Sequence, residues 1–196
     1  SHTAYLNFQP TVEGNKLTLR AVGLQGEQIV QEYTLTDKPY EVKYNLSVQN
    51  AAGFLSSTAQ VAKLTWVNQL DKIEKNSVFE KTMSTVYYKE NTESVDYCNC
   101  RSDAQEDLSA QPIKWFSHSN QFFNSTLIAN ESFTGGVFET KLPAETDENL
   151  KKTSAVVGIP LKRDGTASQM TMYIGPNDFE NLRHYHVALE DIIPFG

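Results

Sequence analysis

The sequence contains no uninterrupted apolar run that approaches the about 18 residues needed to cross a bilayer as a helix. Its first residues also lack the basic stretch and following apolar stretch that mark a secretory signal peptide. Both absences argue against a membrane-spanning helix within these 196 residues. We therefore expect this stretch of chain to be soluble by itself.

Basic charge is scarce as well, since 17 Lys and Arg residues stand against 24 Asp and Glu residues, for a formal net charge of −7. The basic residues are scattered, so no basic cluster is available to follow a phosphate backbone or an anionic lipid surface. The sequence therefore predicts no nucleic-acid partner. An acidic balance also fits the outward-facing part of a membrane protein, because basic residues next to membrane spans favour the cytoplasmic side.

Only two cysteines are present, Cys98 and Cys100. A disulfide between residues so close in sequence would be strained, and two thiols are too few for a structural zinc site. We expect both to be packing residues, with no metal ion and no cofactor. The chain also has no nucleophile elbow, no Gly-rich phosphate loop and no metal-binding helix motif.

Three histidines are the natural candidates for acid–base chemistry. His184 and His186 are two residues apart on a predicted helix, so they point to different sides and cannot bind one metal ion. His118 has no nucleophile and base near it in sequence that would complete a catalytic set. The sequence therefore predicts surface or structural roles for all three, no catalytic residue, and a protein that is not an enzyme.

Period-two alternation of apolar and polar residues is abundant. Leu17, Leu19 and Ala21 share one face of an extended chain, and residues 42–48 alternate in the same way. So many short strands are typical of an all-β sandwich or barrel. The same pattern recurs over residues 28–36, 62–69, 83–89, 136–142, 155–162 and 167–174.

Turn residues separate these segments and predict that consecutive strands mostly pair antiparallel. The strongest hairpin signal is Asp164-Gly165, which predicts a two-residue turn with positive φ at both positions. Residues 91–112 are polar and lack alternation, so we predict a surface loop or short helix around residues 101–107. No linker or repeat divides the chain, which predicts one domain over residues 1–196.

The periodicity changes near the C-terminus, where an amphipathic helix is predicted over residues 176–193. Pro176 suits a helix start, and Pro194 stops the helix. A helix this short is unstable unless its apolar face is buried, so we expect that face to dock onto the sandwich. The residues with helical spacing are Phe179, Leu182, His186 and Leu189, of which Phe179, Leu182 and Leu189 form the candidate docking face.

Four large aromatic residues lie close together in the middle of the chain. Large aromatics in an all-β domain usually belong to the core, because each buries a large apolar area. The alternative is a cleft lined by one or two of them. These residues are Trp115, Phe116, Phe122 and Phe123.

Residues 173–196, together with residues 115–128, resemble the periplasmic domain of bacterial membrane protein insertases of the YidC/Oxa1/Alb3 family. The resemblance covers nearly all of the chain. It implies a large antiparallel β-supersandwich, similar to mutarotase-like folds, closed by C-terminal helices. In that family the pair at Phe195 and Gly196 lies just before the second membrane span, so the resemblance implies a soluble domain of a multi-pass inner-membrane protein.

The resemblance also implies a function: insertion and folding of inner-membrane proteins, alone or with the Sec translocon. This domain would lie in the periplasm as a monomeric docking, positioning or holding module. Its partners would be nascent inner-membrane proteins and components of the Sec translocon. A carbohydrate-binding or mutarotase-like module is the alternative, and a His and a Glu within hydrogen-bonding distance in a pocket would indicate it.

Overall fold

The computed structural model describes residues 3–51, 55–56, 58–73, 75, 77–144 and 147–193. Two short α-helices are α1 (Ser77–Thr82) and α2 (Phe179–Arg183), and two 3-10 helices span Thr3–Tyr5 and Leu189–Ile192. The strands are β1 (Gln9–Glu13), β2 (Lys16–Val22), β3 (Gln28–Leu35), β4 (Glu41–Gln49), β5 (Val61–Asp71), β6 (Thr85–Glu90), β7 (Val95–Tyr97), β8 (Ala104–Leu108), β9 (Ile113–Ser119), β10 (Phe123–Phe133), β11 (Gly136–Lys141), β12 (Asn149–Pro160) and β13 (Ser168–Pro176).

These strands form two sheets. The larger sheet has nine strands in the order β1-β2-β3-β4-β13-β10-β9-β6-β7, and the smaller has four in the order β5-β12-β11-β8. Neighbouring strands run antiparallel in both, for example β3 with β4 and β11 with β12. The predicted all-β antiparallel sandwich with helices at its C-terminal end is therefore confirmed.

A shared apolar core fills the space between the sheets. The larger sheet contributes Phe116 and Leu127, and the smaller sheet contributes Phe138, all fully buried. The rings of Tyr88 and Phe138 stack across the interface with their centroids 4.7 Å apart. Burial of this apolar surface is the main stabilising contribution, at about 25 cal/mol per Å² removed from water.

The turn at Asp164-Gly165 does not close a hairpin, so that prediction is wrong. β12 belongs to the smaller sheet and β13 to the larger, and the turn carries the chain from one sheet to the other. Gly165 has a φ of 84°, whereas Asp164 does not have a positive φ. Its carboxylate instead accepts a hydrogen bond from the backbone N–H of Thr166 at 2.9 Å. An Asp-Gly pair predicts a local reversal of the chain. Pairing with strands distant in sequence determines which sheet the next strand joins.

The polar segment 91–112 contains two strands, so the loop or short helix predicted around residues 101–107 is wrong for residues 104–107, while residues 101–103 form an exposed loop. β7 lies at the edge of the larger sheet, and β8 lies at the edge of the smaller sheet. In β8 the exposed residues Gln105 and Asp107 alternate with half-buried neighbours. Edge strands carry charged residues that discourage pairing with other chains. Such strands lack apolar alternation, so this pattern does not predict them.

The single helix predicted over residues 176–193 is also wrong. β13 continues through Pro176, and α2 begins only after Asp178, whose side chain accepts a hydrogen bond from the Asn181 N–H at 2.8 Å. His186 and Ala188 then take positive φ values of 54° and 57°, which interrupts the helix before the final 3-10 turn. No helix among the described residues is long and apolar enough to span a membrane. Pro194, Phe195 and Gly196 lie outside the described residues.

Candidate functional site

The C-terminal segment, residues 179–193, packs on the outer face of the larger sheet, away from the smaller one. Leu182 and Leu189 are fully buried there, and Ile192 is almost so. Alternation along the strands directs outer-face residues of the sheet toward them, while neighbours such as Phe116 point into the main core. We call this second apolar cluster the outer cluster, and its buried members are Trp115, Ile128, Tyr173, Leu182, Leu189 and Ile192.

One buried aromatic side chain fastens the segment to the sheet by a hydrogen bond. The Trp115 indole Nε1 donates to the Val187 carbonyl at 2.9 Å, within the stretch between the two helical turns. The Tyr173 hydroxyl donates to the Pro176 carbonyl at 2.7 Å within β13, the strand that leads into α2. These bonds satisfy polar atoms that burial would otherwise leave unpaired, so the segment is held by apolar and polar contacts together.

Phe179 differs from the two leucines of the predicted docking face. Its side chain is 37% exposed, and the Arg183 guanidinium carbon lies 5.8 Å from its ring centroid. Phe179 and Leu182 both lie in α2, and the left-handed residues His186 and Ala188 separate that helix from Leu189. Leu182 and Leu189 belong to the outer cluster, and Phe179 lies at the surface.

The four central aromatics do not line one cleft. Trp115 belongs to the outer cluster and Phe116 to the core between the sheets. Phe122 and Phe123 are 47% and 58% exposed, at the turn between β9 and β10. There the Asn120 side-chain oxygen accepts a hydrogen bond from each of their backbone N–H groups at 2.8 Å. Two of these residues are therefore packing residues and two present apolar rings to the solvent.

The histidines lie in three different environments. His118 is buried between the sheets, with Nδ1 2.8 Å from the Thr153 hydroxyl, and burial lowers its pKa to about 4. His184 is exposed, and its Nδ1 bonds to the backbone carbonyl of Glu180. His186 occupies the left-handed turn after α2. In the part of the chain that the structure describes, no histidine side chain is hydrogen-bonded to a glutamate carboxylate.

Both cysteines are free thiols, and Cys98 lies in the main core. Burial raises the pKa of Cys98 to about 12, so its thiol stays protonated and unreactive at neutral pH. Among the described residues, no group of three or more His, Cys, Asp or Glu side chains is arranged to hold a metal ion.

Lys151 is an unusual buried residue that sequence reasoning missed. It lies in β12 and is fully buried, while its neighbour Lys152 is exposed. Its ammonium group donates to the backbone carbonyls of Lys81 at 2.6 Å and Cys100 at 2.7 Å, and also to that of Ser84. Burial lowers the pKa of Lys151 to about 8. One side chain thus links the end of α1, the start of β6 and the loop after β7.

The chain matches a known family model over almost its whole length. Residues 2–196 match the model described as YidC periplasmic domain.

Similar curated proteins carry the name Membrane protein insertase YidC. The one from Phocaeicola vulgatus is 26% identical over 204 residues, which cover 99% of this chain and 33% of that protein. The one from Parabacteroides distasonis is 27% identical over 209 residues, which cover 100% of this chain and 32% of that protein. The chain therefore spans about a third of the length of these relatives.

Among solved structures, the chain is similar to a galactose mutarotase related enzyme from Lactobacillus acidophilus. The TM-score is 0.41 at 9% sequence identity, and the match covers 86% of this chain and 71% of that chain. The family assignment depends on the sequence match alone. Because the family model covers nearly every residue, the chain belongs to the YidC periplasmic domain family.

Proposed function

We propose that residues 1–196 act as one periplasmic domain of a bacterial inner-membrane protein insertase, and that the domain docks and positions rather than catalyses. Nascent inner-membrane proteins are then the clients of the whole protein, and Sec translocon components are its partners. The family match and the names of the curated relatives support this assignment. We further propose that the domain is monomeric.

The observation that carries the positioning role is the fastening of the C-terminal segment. Leu182 and Leu189 are fully buried in the outer cluster, and burial of each such side chain stabilises the docked state by about 1.5–3 kcal/mol. Trp115 adds a hydrogen bond to the backbone between the helical turns. A segment held in this way has one orientation on the sheet, so it can fix the direction in which an attached membrane part is presented.

The alternative, a carbohydrate-binding or mutarotase-like module, needs an acid and a base close together in a polar cleft. His118 is buried against Thr153, and His184 is bonded to a backbone carbonyl. Neither arrangement leaves a histidine paired with a carboxylate for proton transfer. These contacts support a non-catalytic role, and an isolated domain without mutarotase or glycosidase activity is the expected result.

Leu182→Asp tests the positioning role in both the domain and the full-length insertase. We expect a loss of about 2–5 kcal/mol in stability, because the change leaves a cavity and buries an unpaired carboxylate. Insertion of a client protein by the full-length insertase should fall with it. Melting curves and a protease-protection insertion assay are the measurements.

Ser102→Asp is the matched control, since it introduces the same side chain at an exposed site in the loop before β8. It should change neither stability nor insertion. The proposal fails if Leu182→Asp leaves both measurements at the level of the control.

A further inference from the structure

A groove of about 250 Å³ opens on the outer face of the larger sheet, beside the loop that follows α2. β4, β13 and β10 form its floor, since Lys43 pairs with Thr171 and Thr171 pairs with Ile128. Tyr185 belongs to its wall. The charged and titratable side chains that line this groove, which we call the Lys–Glu groove, are Lys38, Glu41, Lys43, Lys114 and His184.

Three of these residues are lysines, and Lys114 lies far in sequence from Lys38 and Lys43. The Lys43 ammonium donates to the Thr171 hydroxyl at 2.9 Å, and the Lys114 ammonium donates to the Asn130 carbonyl at 2.8 Å. The Lys38 ammonium lies 5.9 Å from the centroid of the Tyr185 ring. An ammonium group has three N–H donors, so each lysine keeps donor capacity for an anion in the groove. The scattered basic residues predict no anionic partner from sequence, yet folding brings these three together.

Glu41 is a buried carboxylate among these cations. Its side chain is only 2% exposed, and one oxygen lies 3.5 Å from the Lys43 ammonium. Its second oxygen, Oε2, has no hydrogen-bond partner within the described part of the chain. Burial raises the pKa of Tyr185, and a side-chain hydrogen bond between Tyr185 and the Glu41 carboxylate raises it further. A buried carboxylate oxygen without a donor is costly, so a ligand that supplies an N–H there would be stabilising.

We propose that the Lys–Glu groove binds a zwitterionic phosphate ester of the phosphoethanolamine type. The phosphate accepts hydrogen bonds from Lys38, Lys43 and Lys114, and the ligand's ammonium donates to Oε2 of Glu41. Oε2 of Glu41 is buried, so this contact requires a side-chain movement that opens the groove to the ammonium group. A quaternary ammonium has no N–H, so it cannot satisfy Glu41.

The same chemistry is available from a free phosphate ester and from a phospholipid headgroup. The groove makes no use of the buried contacts of Leu182 or Leu189, so this proposal and the positioning role can fail separately. Recognition by the Lys–Glu groove requires a phosphate and an ammonium group on the same ligand, separated by a few bonds.

The first test is an NMR titration of the ¹⁵N-labelled chain with O-phosphoethanolamine, phosphocholine and inorganic phosphate. We expect saturable shifts at the backbone amides of Glu41, Thr171 and Tyr185. Phosphoethanolamine should bind about tenfold tighter than phosphocholine, which corresponds to one charge-assisted hydrogen bond. Absence of saturable shifts, or equal affinity for the two esters, would overturn the proposal.

Variants separate the two halves of the site. Glu41→Gln keeps the side-chain volume and should remove the preference for phosphoethanolamine over phosphocholine. Lys43→Met should weaken the binding of both esters by about tenfold, which is the effect of losing one hydrogen bond to an ion. Lys63→Met, an exposed lysine in β5 of the other sheet, is the control and should bind like the unmodified chain. Unchanged binding in both groove variants contradicts the proposal.

Vesicle flotation distinguishes the sources of the ligand. Co-flotation with phosphatidylethanolamine vesicles, lost in Lys43→Met, identifies a lipid headgroup. Binding of free phosphoethanolamine without co-flotation identifies a soluble ester. If the chain binds neither, the groove is not a site for this chemistry.

Discussion

At the scale of single residues, His118 gives the clearest dependence on pH. Burial lowers its pKa to about 4 from an ordinary 6.5. Between these values the unfolded chain binds a proton at this residue and the folded chain does not. The free energy of unfolding should therefore fall as the pH drops from about 6.5 toward 4, by about 1 kcal/mol per pH unit from this group.

Urea unfolding at several pH values measures this dependence. His118→Gln is the informative variant, because it removes the titration and keeps an amide that can bond to Thr153. Its stability should decline less steeply over the same range. An equally steep decline in the variant would assign the proton uptake to other groups.

Lys151 makes a second residue-scale prediction. Lys151→Met keeps most of the side-chain volume but removes the ammonium donor from the carbonyls of Lys81, Ser84 and Cys100, of which Lys81 keeps a long bond from the Ser84 N–H at 3.4 Å. We expect a loss of about 2–4 kcal/mol in the free energy of unfolding, since buried unpaired carbonyls are costly. Lys152→Met, at the adjacent exposed position, should change stability little. Similar unfolding midpoints for the two variants would show that the three bonds contribute nothing net.

These residues also mark a limit of sequence reasoning. A core role for Trp115 and Phe116 is the expectation for large aromatics, and both are buried. Nothing in the polar run around Lys151 and Lys152 distinguishes the buried lysine from the exposed one. The burial of Glu41 likewise cannot be predicted from its neighbours in sequence, because it depends on a segment more than a hundred residues away.

At the scale of elements, the turn at Gly165 connects the two sheets and requires a positive φ. Gly165→Val should destabilise the fold by about 1–3 kcal/mol, because a β-branched residue avoids that backbone region. A Cβ atom there would meet Gln49 Cγ at 3.6 Å, an ordinary contact, so the cost at this atom comes from the backbone conformation.

Chemical denaturation of Gly165→Val and Gly165→Asn tests the turn. Asparagine tolerates a left-handed backbone better than valine, so Gly165→Asn should lose less stability. Equal midpoints for both variants and the unmodified chain would contradict the requirement for a positive φ.

The elements were predictable where one face is apolar and the chain is locally regular. Strands such as β4 and β12 follow from alternation, because buried residues alternate with half-buried ones along most of each strand. The edge strand β8 and the break in the helix at His186 could not be predicted from sequence periodicity. Charged sheet edges and left-handed turns depend on contacts with residues distant in sequence. The Asp164-Gly165 turn shows the same limit. Its position can be predicted from the local sequence, but the crossing of the chain from one sheet to the other cannot.

At the scale of the whole molecule, composition and alternation predict an all-β sandwich or barrel, and the two sheets show that it is a sandwich. Helical spacing groups Phe179 with Leu182 and Leu189, whereas the structure buries the two leucines and leaves Phe179 at the surface. The docking role of this face stays a prediction. The Lys–Glu groove is inaccessible from sequence, since pairing of β4, β13 and β10 brings its residues together.

Substitutions at Leu189 test the proposal that the docked C-terminal segment positions the membrane part of an insertase. Amide hydrogen exchange of residues 179–193 reports docking, and client insertion by the full-length insertase reports function. Across Leu189→Met, Leu189→Ala and Leu189→Asp, we expect exchange protection and insertion to fall together, in that order. Full client insertion by Leu189→Asp, with residues 179–193 unprotected from exchange and the strands still protected, would show that insertion does not require the docked segment.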